Sequence, residues 1–324
     1  MIKIFIRFIS SLLCFMTAGI GVAAAADAYP VRSIRWIVPY PPGGTTDILA
    51  RIMAQRLTER LGQQFVVDNR PGAGNNIGTE IAIKAQPDGY TIFLVNPANA
   101  INATLYQNLS FNFLRDLAPV AGLVRVPNVM EVTVSLPVKS VSEFIAHVKA
   151  NPGKVILASS GSGTSVHLSG ELFMSMTGIK MTHVPYKGAG PAFPDLIGGQ
   201  VHVMFDNMPS SIEFIRGGKL RARGVTTAKR SPQLPDVPTV AETVPGYEAS
   251  AWFGVGTPKG SPASAIAVLN REINTALAEP KMKARLAELG GDSIASSPAD
   301  FWKLHAAETE KWAKVVKSSG AKVE

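Results

Sequence analysis

From residue 34 to residue 226, short apolar runs alternate with stretches whose apolar residues recur at steps of three and four. This alternation limits the fold more than any other feature of the chain. Ile34–Tyr40, Phe65–Asp68 and Thr91–Val95 read as strands. A second series begins near Val126, with Val132–Leu136, Val155–Ala158, Met181–Val184, Val201–Phe205 and Leu220–Thr226. Leu49, Ile52, Met53, Leu57 and Leu61 form a helical stripe after the first strand, and Ile77 to Ala85 reads as a helix. Further helices begin near Val141, Thr164, Pro191 and Pro209. Strands alternating with helices imply parallel-rich sheets flanked by helices, and two series imply an α/β chain of two lobes. Residues 228–262 are rich in proline and read as an extended connection rather than a core element, returning the chain to the first lobe. The end is helical. Ser261 is a candidate N-cap with Pro262 at the first helical position, ahead of Ile266, Leu269, Ile273 and Leu277. A last helix starts at Ser297-Pro298, with Asp300 as a capping-box variant and Phe301, Leu304, Trp312 and Val316 as its buried face.

The first 26 residues have the pattern of an export leader. Lys3 and Arg7 are basic, Ile9 to Val22 is apolar but too short for a span, and Ala24-Ala25-Ala26 precede a mature start at Asp27. The one cysteine, Cys14, lies inside this leader, so disulfides, thiol catalysis and cysteine metal sites are excluded from the mature chain. Of 32 Lys and Arg residues, only Lys3 and Arg7 leave with the leader, against 24 Asp and Glu, which gives the mature chain a net charge of +6. Such a surface can steer anions toward a cleft. No basic run with interleaved aromatics occurs, so nucleic acid is not an expected partner.

The chemistry concentrates where strands end. Pro41-Pro42-Gly43-Gly44-Thr45-Thr46-Asp47 joins the first strand to the first helix, and free amides at a helix start suit an anion. Ser159-Ser160-Gly161-Ser162-Gly163-Thr164-Ser165 has the same place in the second series, followed by His167 with Glu171 four residues on. It lacks the Gly-Lys-Ser/Thr of a phosphate loop and the glycine spacing of a nucleophile elbow. Asn96-Pro97-Ala98-Asn99, Tyr186-Lys187-Gly188-Ala189-Gly190 and Asp206-Asn207 end three further strands. Ligands bind at the carboxyl ends of strands in open α/β sheets, so five such ends point to one cleft. Gly72-Ala73-Gly74-Asn75-Asn76-Ile77-Gly78 approximates a dinucleotide fingerprint, but its spacing is off by one and it follows the second strand; it reads as a loop and helix start. His147, His167, His183, His202 and His305 show no metal-ligand spacing, and no cofactor is expected. Tyr40, Tyr186 and Phe205 fit either core packing or stacking on an aromatic solute, while Met174 and Met176 beside Phe173 read as core.

Taken in order, several segments resemble one family. These are Pro39 to Asp47 with Ala50-Arg51, Asp68 to Gly74, Gln86 to Tyr90, Ser160-Gly161 with His167-Leu168 and Glu171, His183 to Gly188, Phe205-Asp206-Asn207, and Pro235 to Thr239. Across its mature length the chain is similar to the extracytoplasmic solute receptors of the tripartite tricarboxylate transporters, the Bug-type receptors. That resemblance implies a periplasmic binding protein of Venus-flytrap form, with two crossing segments. Lobe one would comprise residues 27–125 plus 253–324 and lobe two residues 126–252. It further implies a carboxylate held by the loop around Gly43 to Asp47, partly through ordered waters. Family members bind dicarboxylates, tricarboxylates, acidic amino acids, nicotinate or aromatic acids. The implied pocket is Tyr40, Pro42, Gly43, Gly44, Thr45, Thr46, Asp47, Ser160, Gly161, Gly163, Thr164, His167, Tyr186, Lys187, Gly188, Asp206 and Asn207. Asn96 and Asn99 line the same cleft where the family usually carries small or hydroxyl residues and an Asn-Pro, so the solute preference of other members does not transfer. The implied protein is a non-enzymatic monomer that delivers its solute to a membrane permease; alternatives are a receptor signalling to a membrane sensor, or a secreted hydrolase using His167 or Asp206.

Overall fold

The computed structural model describes residues 29–323. The expected leader, Cys14 and the cleavage point at Asp27 lie outside the described residues. In chain order the elements are β1 (Ile34–Val38), α1 (Thr45–Leu61), β2 (Phe65–Asn69), α2 (Asn76–Ile83), β3 (Thr91–Val95), α3 (Pro97–Leu105), the single turn α4 (Phe113–Asp116) and β4 (Leu117–Thr133). There follow α5 (Val141–Ala150), β5 (Ile156–Ser159), α6 (Ser165–Thr177), β6 (Thr182–Pro185), α7 (Ala189–Gly198), β7 (Val203–Asn207), α8 (Met208–Arg216) and β8 (Leu220–Val225). The chain ends with β9 (Ser250–Pro258), α9 (Ala263–Ala278), α10 (Pro280–Glu288), β10 (Asp292–Ser293) and α11 (Pro298–Ser319).

The strands form one continuous path, β2-β1-β3-β9-β4-β7-β5-β6, with β8 and β10 also paired to β4. The two ends of this path are parallel: β2-β1-β3 and β6-β5-β7. Its middle is antiparallel, because β9 pairs with both β3 and β4, and β4 with β7 and β8. The sheet is therefore mixed rather than parallel throughout. β4 explains the two-lobed shape. Its first part, Leu117 to Pro127, pairs with β9, and its last part, Asn128 to Thr133, pairs with β7 and β8. One 17-residue strand thus runs from one half of the sheet into the other.

Three sequence expectations are corrected here. The end of the proline-rich stretch is a central strand, since every residue of β9 is buried. Ser261 does not cap α9; its hydroxyl donates to the Pro258 carbonyl at 2.9 Å, and Pro262 occupies the cap position. By contrast, Ser297 caps α11, accepting from the Asp300 amide at 3.1 Å. Met176 is 40% exposed and so is not core.

The helices are held by the stripes that define them. Leu49, Met53 and Leu57 of α1 are buried with Leu269, Ile273 and Leu277 of α9 against β1 and β3. Burying each such side chain contributes about 2 kcal/mol. Gly62, in the left-handed region at φ 68°, closes α1 by donating its N–H to the Thr58 carbonyl. On the opposite face, Trp252, Phe301 and Trp312 join Phe144, Phe173 and Phe205 in a core that spans both halves of the sheet.

Candidate functional site

Each βα turn singled out in the sequence sits at a carboxyl strand end, and five of the helices that follow start around one cavity. Its wall is formed by Tyr40, Gly44, Thr45, Thr46, Asn96, Pro97, Ser160, Thr164, Ser165, Ala189, Asp206, Asn207 and Phe253. Gly44, Asn96, Thr164 and Asn207 are the N-caps of α1, α3, α6 and α8, and Ala189 is the first residue of α7. First-turn amides have no acceptor inside their own helix, and each helix start carries partial positive charge. The room left between these walls is about 30 Å³, enough for one or two waters. An adjoining cavity of about 180 Å³ shares Tyr40 and Ser160 and reaches Gly161, Tyr186 and Lys187. A larger groove of about 330 Å³ lies between α1 and the start of α10, and there the carboxylates of Glu59 and of Glu279, the N-cap of α10, both pair with Arg56.

The two halves of the wall touch. Thr45 and Ser210 approach at 2.9 Å through their hydroxyls, and the Ser210 hydroxyl lies 2.5 Å from Asp206 Oδ2. Ser211 donates to the same oxygen at 3.0 Å. Burial pushes the Asp206 carboxyl up to about 6, against the lowering effect of Ser210, Ser211 and the Asn207 amide. Asp206 is the one charged residue in the cavity wall, which contains no Lys, Arg or His. Tyr40 is the other ionisable wall residue, and burial, with Tyr106 beside it, raises its hydroxyl pKa.

Several predicted residues brace this wall rather than form it. The buried carboxylate of Asp47 accepts from Arg51 Nε at 3.0 Å, Asn69 Nδ2 at 3.1 Å and the Gly43 amide at 3.2 Å. It fixes the loop from behind. Asn99 completes a capping box with Asn96, accepting from the Asn96 amide at 3.0 Å, and donates to Thr79 at 3.0 Å. His167 accepts from the Gly163 amide at 3.3 Å through Nδ1 and stacks on His183 at 4.2 Å. His183 Nε2 lies 2.7 Å from Ser159 Oγ, which accepts from the Gly161 amide at 3.1 Å. Burial, with His167 alongside, pushes His183 down to about 3. Serine, histidines and glycine amides together hold the Ser159–Ser165 loop in shape.

Of the predicted residues, Tyr40, Gly44, Thr45, Thr46, Asn96, Ser160, Thr164, Asp206 and Asn207 line the cavity. Gly161, Tyr186 and Lys187 line its neighbour, while Pro42, Gly43, Asp47, Asn99, Gly163, His167 and Gly188 line neither. Tyr186 donates to Asp195 at 2.6 Å, and Phe205 is packed on Phe173 and Tyr247. Pro97, Ser165, Ala189 and Phe253 were not among the predicted wall residues. Pro97 and Ser165 were legible as the first residues after their caps. Phe253 was hidden by the reading of its strand as a connection. Among the described residues no group of three metal-ligating side chains occurs, and no helix is long and apolar enough to cross a membrane.

Protein BugT of Bordetella pertussis is 42% identical over 310 residues, covering 95% of either chain. Three solved structures share the fold. Rpa4515 of R. palustris, solved with adipate, is 41% identical with a TM-score of 0.89, covering 91% of this chain and all of that one. The periplasmic binding protein BugD is 34% identical with a TM-score of 0.88 over 91% of this chain and all of that one. MatC of Rhodopseudomonas palustris, solved with bound malate, is 31% identical with a TM-score of 0.85 over 89% of this chain and all of that one. The profile described as "Tripartite tricarboxylate transporter family receptor" matches residues 49–321. With its two-lobed fold and full-length Bug relatives, the chain belongs to that receptor family.

Proposed function

We propose that this chain is exported through a cleaved leader, residues 1–26, and acts in the periplasm as a receptor for a small carboxylated solute. Residues 27–125 plus 253–324 form one lobe and residues 126–252 the other, with the solute held between them. The observation that carries this reading is the convergence of five helix N-termini on one cavity without a cation. Such a wall holds an anion by oriented amides and hydroxyls. Two relatives solved with adipate and with bound malate support the carboxylate class. Hydrogen bonds to the carboxylate strengthen as the lobes exclude water, and the closed form presents a distinct surface to the membrane subunits of a tripartite transporter. The receptor binds and releases without turnover.

The test is a thermal-shift screen of the mature protein against dicarboxylates, citrate-like acids, acidic amino acids, nicotinate and benzene carboxylates. The expected result is a shift that rises with concentration for one acid and is absent for its amide. No shift with any acid, in protein that native mass spectrometry shows to be free of retained ligand, overturns the reading. Loss of uptake of that acid in a strain lacking the receptor supports delivery to a permease; unchanged uptake with a lost transcriptional response refutes it in favour of sensing.

A further inference from the structure

Asp206 is an odd residue for an anion receptor. It is 1% exposed, lines the cavity between five positive helix ends, and faces no cation there. Both side-chain hydrogen bonds to its carboxylate, from Ser210 and Ser211, fall on Oδ2. Ser210 in turn meets Thr45 across the cleft, so this carboxylate is placed where the two lobes meet around a solute. A bare carboxylate seated against it would meet like charge in a dry site, whereas a hydroxyl or ammonium on the solute would find an acceptor.

We propose that Asp206 selects the solute: the receptor prefers an acid whose carbon skeleton carries a hydrogen-bond donor, a hydroxyl or ammonium group, and Asp206 accepts that bond. The proposal rests on the carboxylate-receptor reading and refines its substrate class.

The same placement makes the preference depend on pH. Above about 6 Asp206 is ionised, accepts from the donor and repels a bare carboxylate. Below that value it is protonated, and its own proton serves a second carboxylate instead. The groups around it do not compete. From β4 the facing ionisable group is Glu131, fully buried, with neither carboxyl oxygen hydrogen-bonded. The single proton of Ser211 goes to Asp206, and burial, with the neighbouring Asp206, pushes Glu131 well above the usual carboxylate range. α8 presents the hydroxyls of Ser210 and Ser211, α1 that of Thr45, and α6 contributes Ser165 to the same wall, all uncharged.

The experiment is calorimetry with solute pairs that differ by one hydroxyl: malate with succinate, and 2-hydroxyglutarate with glutarate. It uses the mature protein and its Asp206→Asn variant at pH 7.5 and pH 5. Wild type is expected to favour the hydroxy acid by about tenfold or more at pH 7.5, the range of a hydrogen bond to a charged acceptor, and by much less at pH 5. The variant is expected to show little preference at either pH. The solute's own titration is common to both proteins and cancels between them. A hydroxyl preference that is equal in the folded variant, or independent of pH in wild type, overturns the proposal while leaving the carboxylate reading intact. Should Asp206→Asn fail to fold, the wild-type pH profile decides once it is corrected for the known ionisation of each solute. Absence of binding by every acid at both pH values overturns both readings.

Discussion

A methyl group on Gly190, the second residue of α7, would stand 2.7 Å from the carbonyl oxygen of Pro42 on the opposite side of the cleft. Gly190 is not among the positive-φ glycines, so alanine fits its backbone without strain. Within its own lobe the substitution should stabilise α7 slightly, by up to about 1 kcal/mol, because alanine is the better helix former. Across the cleft the opposite holds. A carbon needs about 3.5 Å from a backbone oxygen, so the two lobes must part by somewhat under 1 Å. That separation strains the Thr45–Ser210 contact and the 30 Å³ cavity around the solute. Overpacking of this kind costs about 1–3 kcal/mol, which corresponds to about 5- to 150-fold in affinity. Calorimetry on Gly190→Ala with the acid found in the screen should therefore show the loss, while the melting temperature without solute stays level or rises. Small-angle scattering should show a smaller compaction on adding solute. An affinity within twofold of wild type in folded protein would refute the argument that these lobes close through this contact. A drop in solute-free stability matching the affinity loss would refute the separation of closure from folding.

Asp47→Ala should lower stability and affinity together, because Asp47 holds the cavity loop and not its surface; about 1–3 kcal/mol is expected from the lost bonds to Gly43, Asn69 and Arg51, with the half-exposed Arg51 contributing least. Weaker binding with an unchanged melting curve would instead mean direct contact with solute. His305→Phe should flatten acid unfolding: burial holds His305 down to about 3, so the unfolded chain takes up its proton first and stability falls by about 1.4 kcal/mol per unit as pH drops from about 6.5 toward that value. Phe keeps the stack on Phe113 and removes that slope, which urea melts at pH 7 and pH 4 would reveal; an unchanged slope refutes it. Glu131→Met should stabilise by about 1–4 kcal/mol at pH 8 and by less at pH 5, since a raised carboxyl favours the folded chain at low pH and loses that advantage as pH climbs above about 4.3. An equal gain at both pH values would show that Glu131 does not titrate as argued.

The residues that were easiest to read are those whose conformation is set locally. Thr91–Val95 has the same bounds in sequence and structure because a buried five-residue apolar run follows a glycine turn. Asn96, Thr164 and Ser297 announce helix starts because a short polar side chain accepts a backbone N–H two or three residues on. Part of the cavity wall inherits that legibility, since Asn96 and Thr164 in it are such caps. The missed elements, β4 and β9, are set by distant partners. β4 carries Pro119, Gly122 and Pro127, and its ladder with β9 shifts register after Pro119 and again after Gly122. Such bulges erase the period-two pattern that marks a strand, and burial on both faces removes what remains of it. Gly254 and Gly256 of β9 look like loop residues, yet a Cβ on Gly254 would lie 2.1 Å from the Phe301 ring, so α11 can pack on the sheet only over glycine. That need belongs to the contact between β9 and α11, 47 residues apart at these positions, and no local pattern encodes it. Asp47 shows the same limit: an acid in a glycine loop can cap a helix or meet a solute, and only the fold brings Asn69, from the next strand, to join Arg51 on its oxygens. Asp206 shows the converse. Its buried position was legible as a strand end, but its isolation among five helix starts depends on α1, α3, α6, α7 and α8 together, and that isolation is what gives it a chemical role.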